Sequence, residues 1–246
     1  MPPDASTFVI LTQVDSTNNY AMATVHEGLA KHGNAVFSRY QTQGKGQRGR
    51  EWYSGDGGNI ALSVILNPEQ LELSHPFQLS LAVALGSYDF FSIYAGEETS
   101  IKWPNDVYWR DRKAAGILIE NIISGKKWKW AVAGIGVNVN QTTFDPELKN
   151  PVSLKQITGK NFDTIELAKE LHQCVMDRTR QLSERPFGIL LEEYQSHLYR
   201  KDSTVKLKKD NMTFEVIVKG VSATGQLKTF DVIEKQFDFG EVEWIL

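Results

Sequence analysis

The sequence predicts a mixed α/β (α+β) fold: a central mixed sheet flanked by helices, with a small β-barrel domain at the C-terminus. Three observations predict it. Apolar runs rich in Val, Ile and Phe alternate with segments of helical period through most of the chain. A long glycine-rich stretch interrupts them early. After residue 198 the helical period stops, and short strands follow one another between Asp-Asn, Gly and Ala-Thr-Gly turns. The expected division is residues 1–195 and 196–246.

The elements follow in order. Phe8 to Val14 reads as a strand. Asp15, Ser16 and Thr17 offer N-caps to a helix carrying Ala21, Val25 and Leu29, which Gly33 ends. Residues 35–41 are strand-like, and 42–58 form a loop with six glycines. Ile60 to Leu66 has the continuous apolar character of a buried strand. Ser74 and Pro76 open a helix whose apolar face is Phe77, Leu81, Ala84, Leu85, Tyr88 and Phe91. Ile101 to Trp103 and Val107 to Trp109 are strands around a Pro-Asn-Asp turn. Ala114 to Ile123 and Trp128 to Val139 form a hairpin, and helices are expected over 163–183 and 186–198. Val205 to Leu207, Phe214 to Val218 and Leu227 to Ile233 are the strands of the small domain.

Composition narrows the function. The 246 residues carry a net charge of −3, so nothing suggests a general attraction to nucleic acid or anionic membranes. Any phosphate site must rest on local cations. Cys174 is the single cysteine, which fits a reducing compartment. No early run resembles a signal peptide, and no apolar run approaches the ~18–20 residues that span a bilayer. A cytoplasmic protein is expected.

Gly44-Lys45-Gly46-Gln47-Arg48-Gly49-Arg50 spells the dinucleotide fingerprint, but the context opposes that reading. A dinucleotide loop turns straight into a helix. Here Trp52, Tyr53, Ser54, Gly55, Gly57 and Gly58 follow, and then a strand. Glycines let a backbone approach a ligand closely, and Lys45, Arg48 and Arg50 add cations. The combination suits a site where a carboxylate must meet a phosphate. A solvated surface loop is the plainer alternative, and Trp52 an ordinary core residue.

A second cluster is Lys102-Trp103-Pro104-Asn105-Asp106 with Arg110 to Lys113. A charged turn is most often a solvated hairpin. Lys113, however, stands where the turn meets an apolar strand, and a sheltered ammonium is a point charge for an oxyanion or phosphate. Asp106 suits a metal carried with phosphates, or merely caps the turn. Gly134-Ile135-Gly136-Val137-Asn138 is a strand whose glycines permit close approach of a ligand, or mark a bulge. The five histidines show no metal-ligand spacing, no GxSxG elbow occurs, and Cys174 has no activating neighbour.

Together these segments resemble the biotin–protein ligase family. The resemblance rests on Asp15-Ser16-Thr17-Asn18, Gln41 with Gly44 to Trp52, Lys102 to Asp106, Asp111 to Lys113 with Ala115 to Leu118, and Gly134 to Asn138, in that order. It covers residues 8–140 well and the C-terminal domain more loosely. It implies an AMP-forming ligase with biotin and ATP as substrates and Mg²⁺ beside them. Biotinyl-5′-adenylate would form first, and its biotin would then pass to a lysine of a biotin carboxyl carrier domain. Ser16, Thr17, Asn18, Gln41, Gly44, Lys45, Gly46, Gln47, Lys113 and Gly116 would bind biotin. Arg48, Arg50, Trp52, Lys102, Asn105, Lys113 and Asn138 would bind ATP or the adenylate. Lys113, Arg48 and Asp106 would carry the chemistry, Asp106 orienting the acceptor lysine or a Mg²⁺.

The loop departs from the family's usual Gly-Arg-Gly-Arg, since Lys45 and Gln47 replace two forked cations with a point charge and an amide. The chain begins almost at its first strand, so no helix-turn-helix domain and no DNA binding are expected, in a monomer or homodimer. A lipoate ligase and a non-catalytic RNA-binding module are the rival readings. Net charge and the lack of a basic aromatic stripe weigh against the second.

Overall fold

The computed structural model describes residues 7–53 and 57–245. Ser54 and Gly55 of the predicted loop lie outside the described residues, as do 1–6, Asp56 and Leu246.

The chain runs β1 (Phe8–Val14), α1 (Thr17–His26), β2 (Ala35–Gln41), β3 (Ile60–Leu66), α2 (Phe77–Ala95), β4 (Thr99–Lys102), β5 (Asp106–Trp109), β6 (Arg112–Ser124) and β7 (Lys127–Val137). Then come α3 (Leu154–Thr158), α4 (Thr164–Glu184), α5 (Phe187–Ser196), β8 (Thr204–Lys209), β9 (Met212–Val221), β10 (Leu227–Phe230), β11 (Glu234–Phe237) and β12 (Glu243–Ile245). A seven-stranded sheet has the order β1-β2-β3-β7-β6-β5-β4. Only β1 and β2 pair in parallel, so the sheet is mixed, as expected. A second sheet of five antiparallel strands has the order β11-β10-β9-β8-β12. It is the small C-terminal all-β unit.

Strand alternation gives the large sheet two faces. Phe37, Leu62, Val64, Ala133, Ile135 and Ile117 point into the main core, where α2 and α4 pack. On the other face, α1 covers Val36, Ile65 and Val132 with Ala21 and Val25. Beyond α1, that face is lined by small residues: Ala61 and Ser63 of β3 stand opposite Gly136 and Gly134 of β7, and Gly136 stands opposite Gly116 of β6. A face without bulk leaves room for a cavity.

Helix α2 is apolar nearly all round, and Leu81, Leu85, Phe90 and Phe91 have no exposed surface. Contrary to expectation, its span is long and apolar enough to cross a bilayer, with a mean hydropathy of 1.2. Here it is the core helix between the sheet and α4, and burial inside a core selects for the same composition.

The structure corrects other boundaries. α1 ends at His26, because Gly28 at φ +74° turns the chain, and Leu29 is left exposed. Leu227 to Ile233 is not one strand. The Asp231 carboxylate accepts hydrogen bonds from the Val232 and Ile233 backbone N–H groups and pairs with Lys235, which folds a turn between β10 and β11. α3, β11 and β12 were not foreseen. α3 does carry a readable signal, a capping box between Ser153 and Gln156.

Candidate active site

The small-residue face opens into a cavity of about 500 Å³. Every residue expected at the site lines it except Gly44. Gly44 is buried behind the loop, where a Cβ would overlap the Trp52 carbonyl oxygen. Glycine there lets the loop fold back on itself.

One end of the cavity is neutral and closely hydrogen-bonded. The turn from β1 into α1 buries Ser16, Thr17 and Asn18. Gln41 Oε1, at the end of β2, accepts from the Thr17 backbone N–H at 2.8 Å and from its hydroxyl at 3.0 Å. Ser63 Oγ reaches Thr17 Oγ1 at 2.8 Å and Asn18 Oδ1 at 2.6 Å. Asn18 Nδ2 donates to Glu120 at 2.7 Å, and the other Glu120 oxygen faces Lys45 Nζ at 3.8 Å. Ser63 and Glu120 do not line the cavity but hold the side chains that do, and sequence reading missed both. Ser63 is the one polar residue in the apolar run of β3, a signal that the reading of that run as continuously apolar passed over.

The glycine loop is a short hairpin lying on itself. Lys45 bridges Glu51, the Trp52 N–H donates to the Gly44 carbonyl at 2.8 Å, and the Gly46 N–H donates to the Arg50 carbonyl at 2.7 Å. The Gly46 N–H is thus spent inside the loop rather than aimed at a ligand. Arg48, at φ 56°, occupies the left-handed region at the tip. Gln47 Nε2 donates to the Ile117 carbonyl at 3.1 Å, which also accepts from Asn105 Nδ2 at 2.6 Å. Gln47 Oε1 is buried without a partner in the protein.

Trp52 is not core filler. Its indole lies across Gly116 and Gly136, and its Nε1 is buried without a partner in the protein. A Cβ on Gly136 would overlap the ring, and one on Gly116 would stand 3.3 Å from it. Only glycine at 136 lets a flat group lie on the strand there.

The other end is cationic. Lys113 Nζ pairs with Asp106 Oδ1 at 2.7 Å, both groups being largely sheltered. Asn138, buried after β7, donates toward the Lys113 carbonyl at 3.4 Å and fixes the start of β6. Lys102 is buried, its Nζ donating to Tyr108 Oη at 3.3 Å. Burial pushes the Lys102 ammonium down to about 8; the nearby Asp106 carboxylate opposes the shift, while Lys113, Lys149 and Arg50 add to it. The Trp103–Pro104 peptide between Lys102 and Asn105 is cis.

The C-terminal unit completes the wall with Phe239, Gly240 and Val242 of the turn between β11 and β12 and with Trp244 of β12. No sequence motif flagged these residues, and the signal was weak: one tryptophan near the chain end. Away from the cavity, Cys174 sits in α4 against the core, and burial raises its thiol to about 11. That suits packing rather than nucleophilic attack. Among the described residues no three His, Cys, Asp or Glu side chains converge as a metal site.

A cavity with neutral donors and acceptors at one end, a glycine floor and sheltered cations at the other is now the frame for comparison. The sequence profile of the Biotin/lipoate A/B protein ligase family matches residues 10–138.

The chain belongs to that family.

It is 32% identical to the Biotin--[acetyl-CoA-carboxylase] ligase of Paracoccus denitrificans, over 89% of this chain and 92% of that one. It is 31% identical to the Bifunctional ligase/repressor BirA of Bacillus spizizenii over 83% of its own length, and spans 64% of that longer relative. Among solved structures it resembles the biotin protein ligase from Aquifex aeolicus in complex with biotin and ATP, with a TM-score of 0.82 and 27% identity over 98% of this chain and 99% of that one. The match extends through the small C-terminal sheet, which the family profile does not reach.

Proposed function

We propose that this chain activates biotin with ATP and transfers it to a lysine of a biotin carboxyl carrier domain. The observation that carries the reading is the two-ended cavity. Biotin is neutral at its ureido ring and anionic at its carboxylate. The Ser16, Thr17 and Gln41 end offers donors and acceptors for the ring. The Lys113, Lys102 and Arg48 end offers charge for the carboxylate and the triphosphate. The related Aquifex aeolicus enzyme binds both biotin and ATP.

In the first step a carboxylate oxygen of biotin attacks the α-phosphorus and pyrophosphate leaves. Two anions must meet, so the barrier is largely electrostatic. Lys113 stands between the floor and Asp106, placed to neutralise charge as the P–O bond forms. Arg48, Arg50 and Lys102 serve the phosphates, with Asn105 and Asn138 holding the frame around them. Trp52 offers its face to the adenine or the thiophane side. In the second step the lysine amine attacks the acyl carbon and AMP departs. Asp106 holds Lys113 before the first step and orients the incoming amine in the second.

Mg²⁺ enters with ATP as part of the substrate. Asp106 is already engaged by Lys113, and the described residues offer no ligand cluster that would keep a resident ion. Residues 1–195 form the catalytic unit in this account, and 196–246 a smaller unit at its nucleotide end. The protein acts in the cytoplasm, without nucleic acid or membrane, as a monomer or homodimer. The glycine loop from Gly44 to Trp52 lies over the cavity in this account and keeps water from the anhydride.

Biotin-dependent ATP–pyrophosphate exchange tests the reading, with lipoate as the control acid. Exchange with biotin alone is expected. Exchange with lipoate alone, or with neither acid, overturns it.

A further inference from the structure

The C-terminal unit meets the cationic end of the cavity through a Lys149–Glu243 ion pair and through two aromatic rings that lie over cations. Lys102 Nζ lies 5.3 Å from the centre of the Trp244 ring and 4.8 Å from that of Tyr108. Arg48 Cζ lies 5.3 Å from the centre of the Phe239 ring. The two cations come from different parts of the large unit, one from β4 and one from the glycine loop. The two rings come from one short segment at the chain's end. A ring face attracts a cation without neutralising it, so each cation is held in place and still presents full charge to a phosphate. A carboxylate partner would compete with the ligand, and a ring does not.

The segment is built for this contact. Gly240, next to Phe239, stands at φ +83°, and a Cβ there would overlap the Arg48 guanidinium. Trp244 pairs with Leu207 in the sheet and is 8% exposed, packed against Tyr199. Its indole N–H is buried and has no partner in the protein, although the residue lines the cavity. The sheet is also fastened to the neighbour of Lys102: Trp103 Nε1 donates to the Gly225 carbonyl at 2.8 Å, and the Trp103 ring meets Phe239 edge-on at 6.4 Å.

We propose that Trp244 and Phe239 are positioning residues for the nucleotide, capping Lys102 and Arg48 so that these cations stay ordered until ATP arrives. The small sheet is then a working wall of the active site. This inference rests on the ATP-dependent activation proposed above.

The groups facing Lys102 define its behaviour with pH. They are the Tyr108 hydroxyl, the Asp106 carboxylate and the cations Lys113, Lys149 and Arg50, with Trp244 closing the remaining side. Removing the Trp244 ring admits water, restores solvation of the ammonium and raises the pH at which Lys102 loses its proton.

The test uses the full chain with the variants Trp244→Ala, Trp244→Phe and Phe239→Leu, read by pyrophosphate exchange across pH and by separate biotin titration. Trp244→Ala is expected to raise the KM for ATP about tenfold, as befits loss of a sheltered cation–π contact, and to leave the biotin Kd within about twofold. Its alkaline limb moves to higher pH, and Trp244→Phe recovers most of the ATP affinity. Phe239 is half exposed, so Phe239→Leu preserves the fold and raises the KM for ATP about threefold. If Trp244→Ala does not fold, Phe239→Leu and Trp244→Phe decide. Unchanged ATP affinity in the folded variants, or equal loss of biotin and ATP binding with no movement of the pH limb, overturns the proposal. Absence of exchange in the unaltered protein instead overturns the activity on which it rests.

Discussion

The two ends of the cavity are held by different physics. At the neutral end, buried Thr17, Asn18 and Ser63 and partly buried Gln41 form a connected set of hydrogen bonds on regular elements. At the cationic end, Lys113, Lys102 and Arg48 stand on turns and strand ends, and their neighbours are a carboxylate and three aromatic rings. The first arrangement costs nothing to leave unliganded, since its members satisfy one another. The second gathers like charges, which a ligand bearing phosphates relieves. Recognition of shape and neutral polarity thus belongs to one end and charge chemistry to the other, with the Gly116–Gly136 floor between them.

The sharpest way to break this contrast is at Lys113. Lys113→Ala is expected to lower pyrophosphate exchange by about 100-fold or more, the range for losing one preorganised charge-stabilising group, and to weaken biotin binding far less. Titration calorimetry with biotin, run beside the exchange assay, separates the two. Next in size is the floor. Gly136→Ala forces a methyl against the Trp52 indole, and overpacking of this kind costs about 1–3 kcal/mol. Thermal unfolding reads the cost, and both biotin and ATP affinities fall together because both ends share that floor.

The floor also shows how much of this molecule was legible from its sequence. Strands β1, β2 and β3 begin and end where their apolar runs do, and α4 is capped by Asp163 as its composition suggests. The glycines of β7 were readable as a place where something approaches the backbone closely, while Gly116 of β6 was named only through the family resemblance. The identity of that something, Trp52, depends on how the loop folds back, and a loop's path follows contacts far away in sequence. The β10–β11 turn was missed because Val232 and Ile233 read as strand residues, while the Asp231 carboxylate overrides them locally. Phe239 and Trp244 were invisible for another reason. Their role comes from where one sheet docks on another, which no local pattern records.

Two smaller effects sharpen the contrast further. Ser63→Ala removes the hydroxyl that joins Thr17 to Asn18, and is expected to weaken biotin binding about fivefold, near the ~1 kcal/mol net value of a hydrogen bond, without altering the KM for ATP. A pH series gives the mildest test. Burial lowers Lys102 to about 8, so its charge is present below that pH and is lost as pH rises through it. Between about pH 7 and about pH 9 the KM for ATP is expected to rise a few-fold, while biotin binding in the absence of ATP stays flat. The same depressed lysine makes the fold more stable over that rise, because the unfolded chain still binds the proton that the folded one has released.

The most direct test of the central claim is mass spectrometry of a biotin carboxyl carrier domain incubated with the protein, biotin and MgATP. The account predicts one biotin added to a single lysine, none when ATP is withheld or when lipoate replaces biotin, and a far slower addition when Lys113→Ala replaces the unaltered protein. An unmodified carrier domain with the unaltered protein, or modification that proceeds equally well with lipoate, would contradict it.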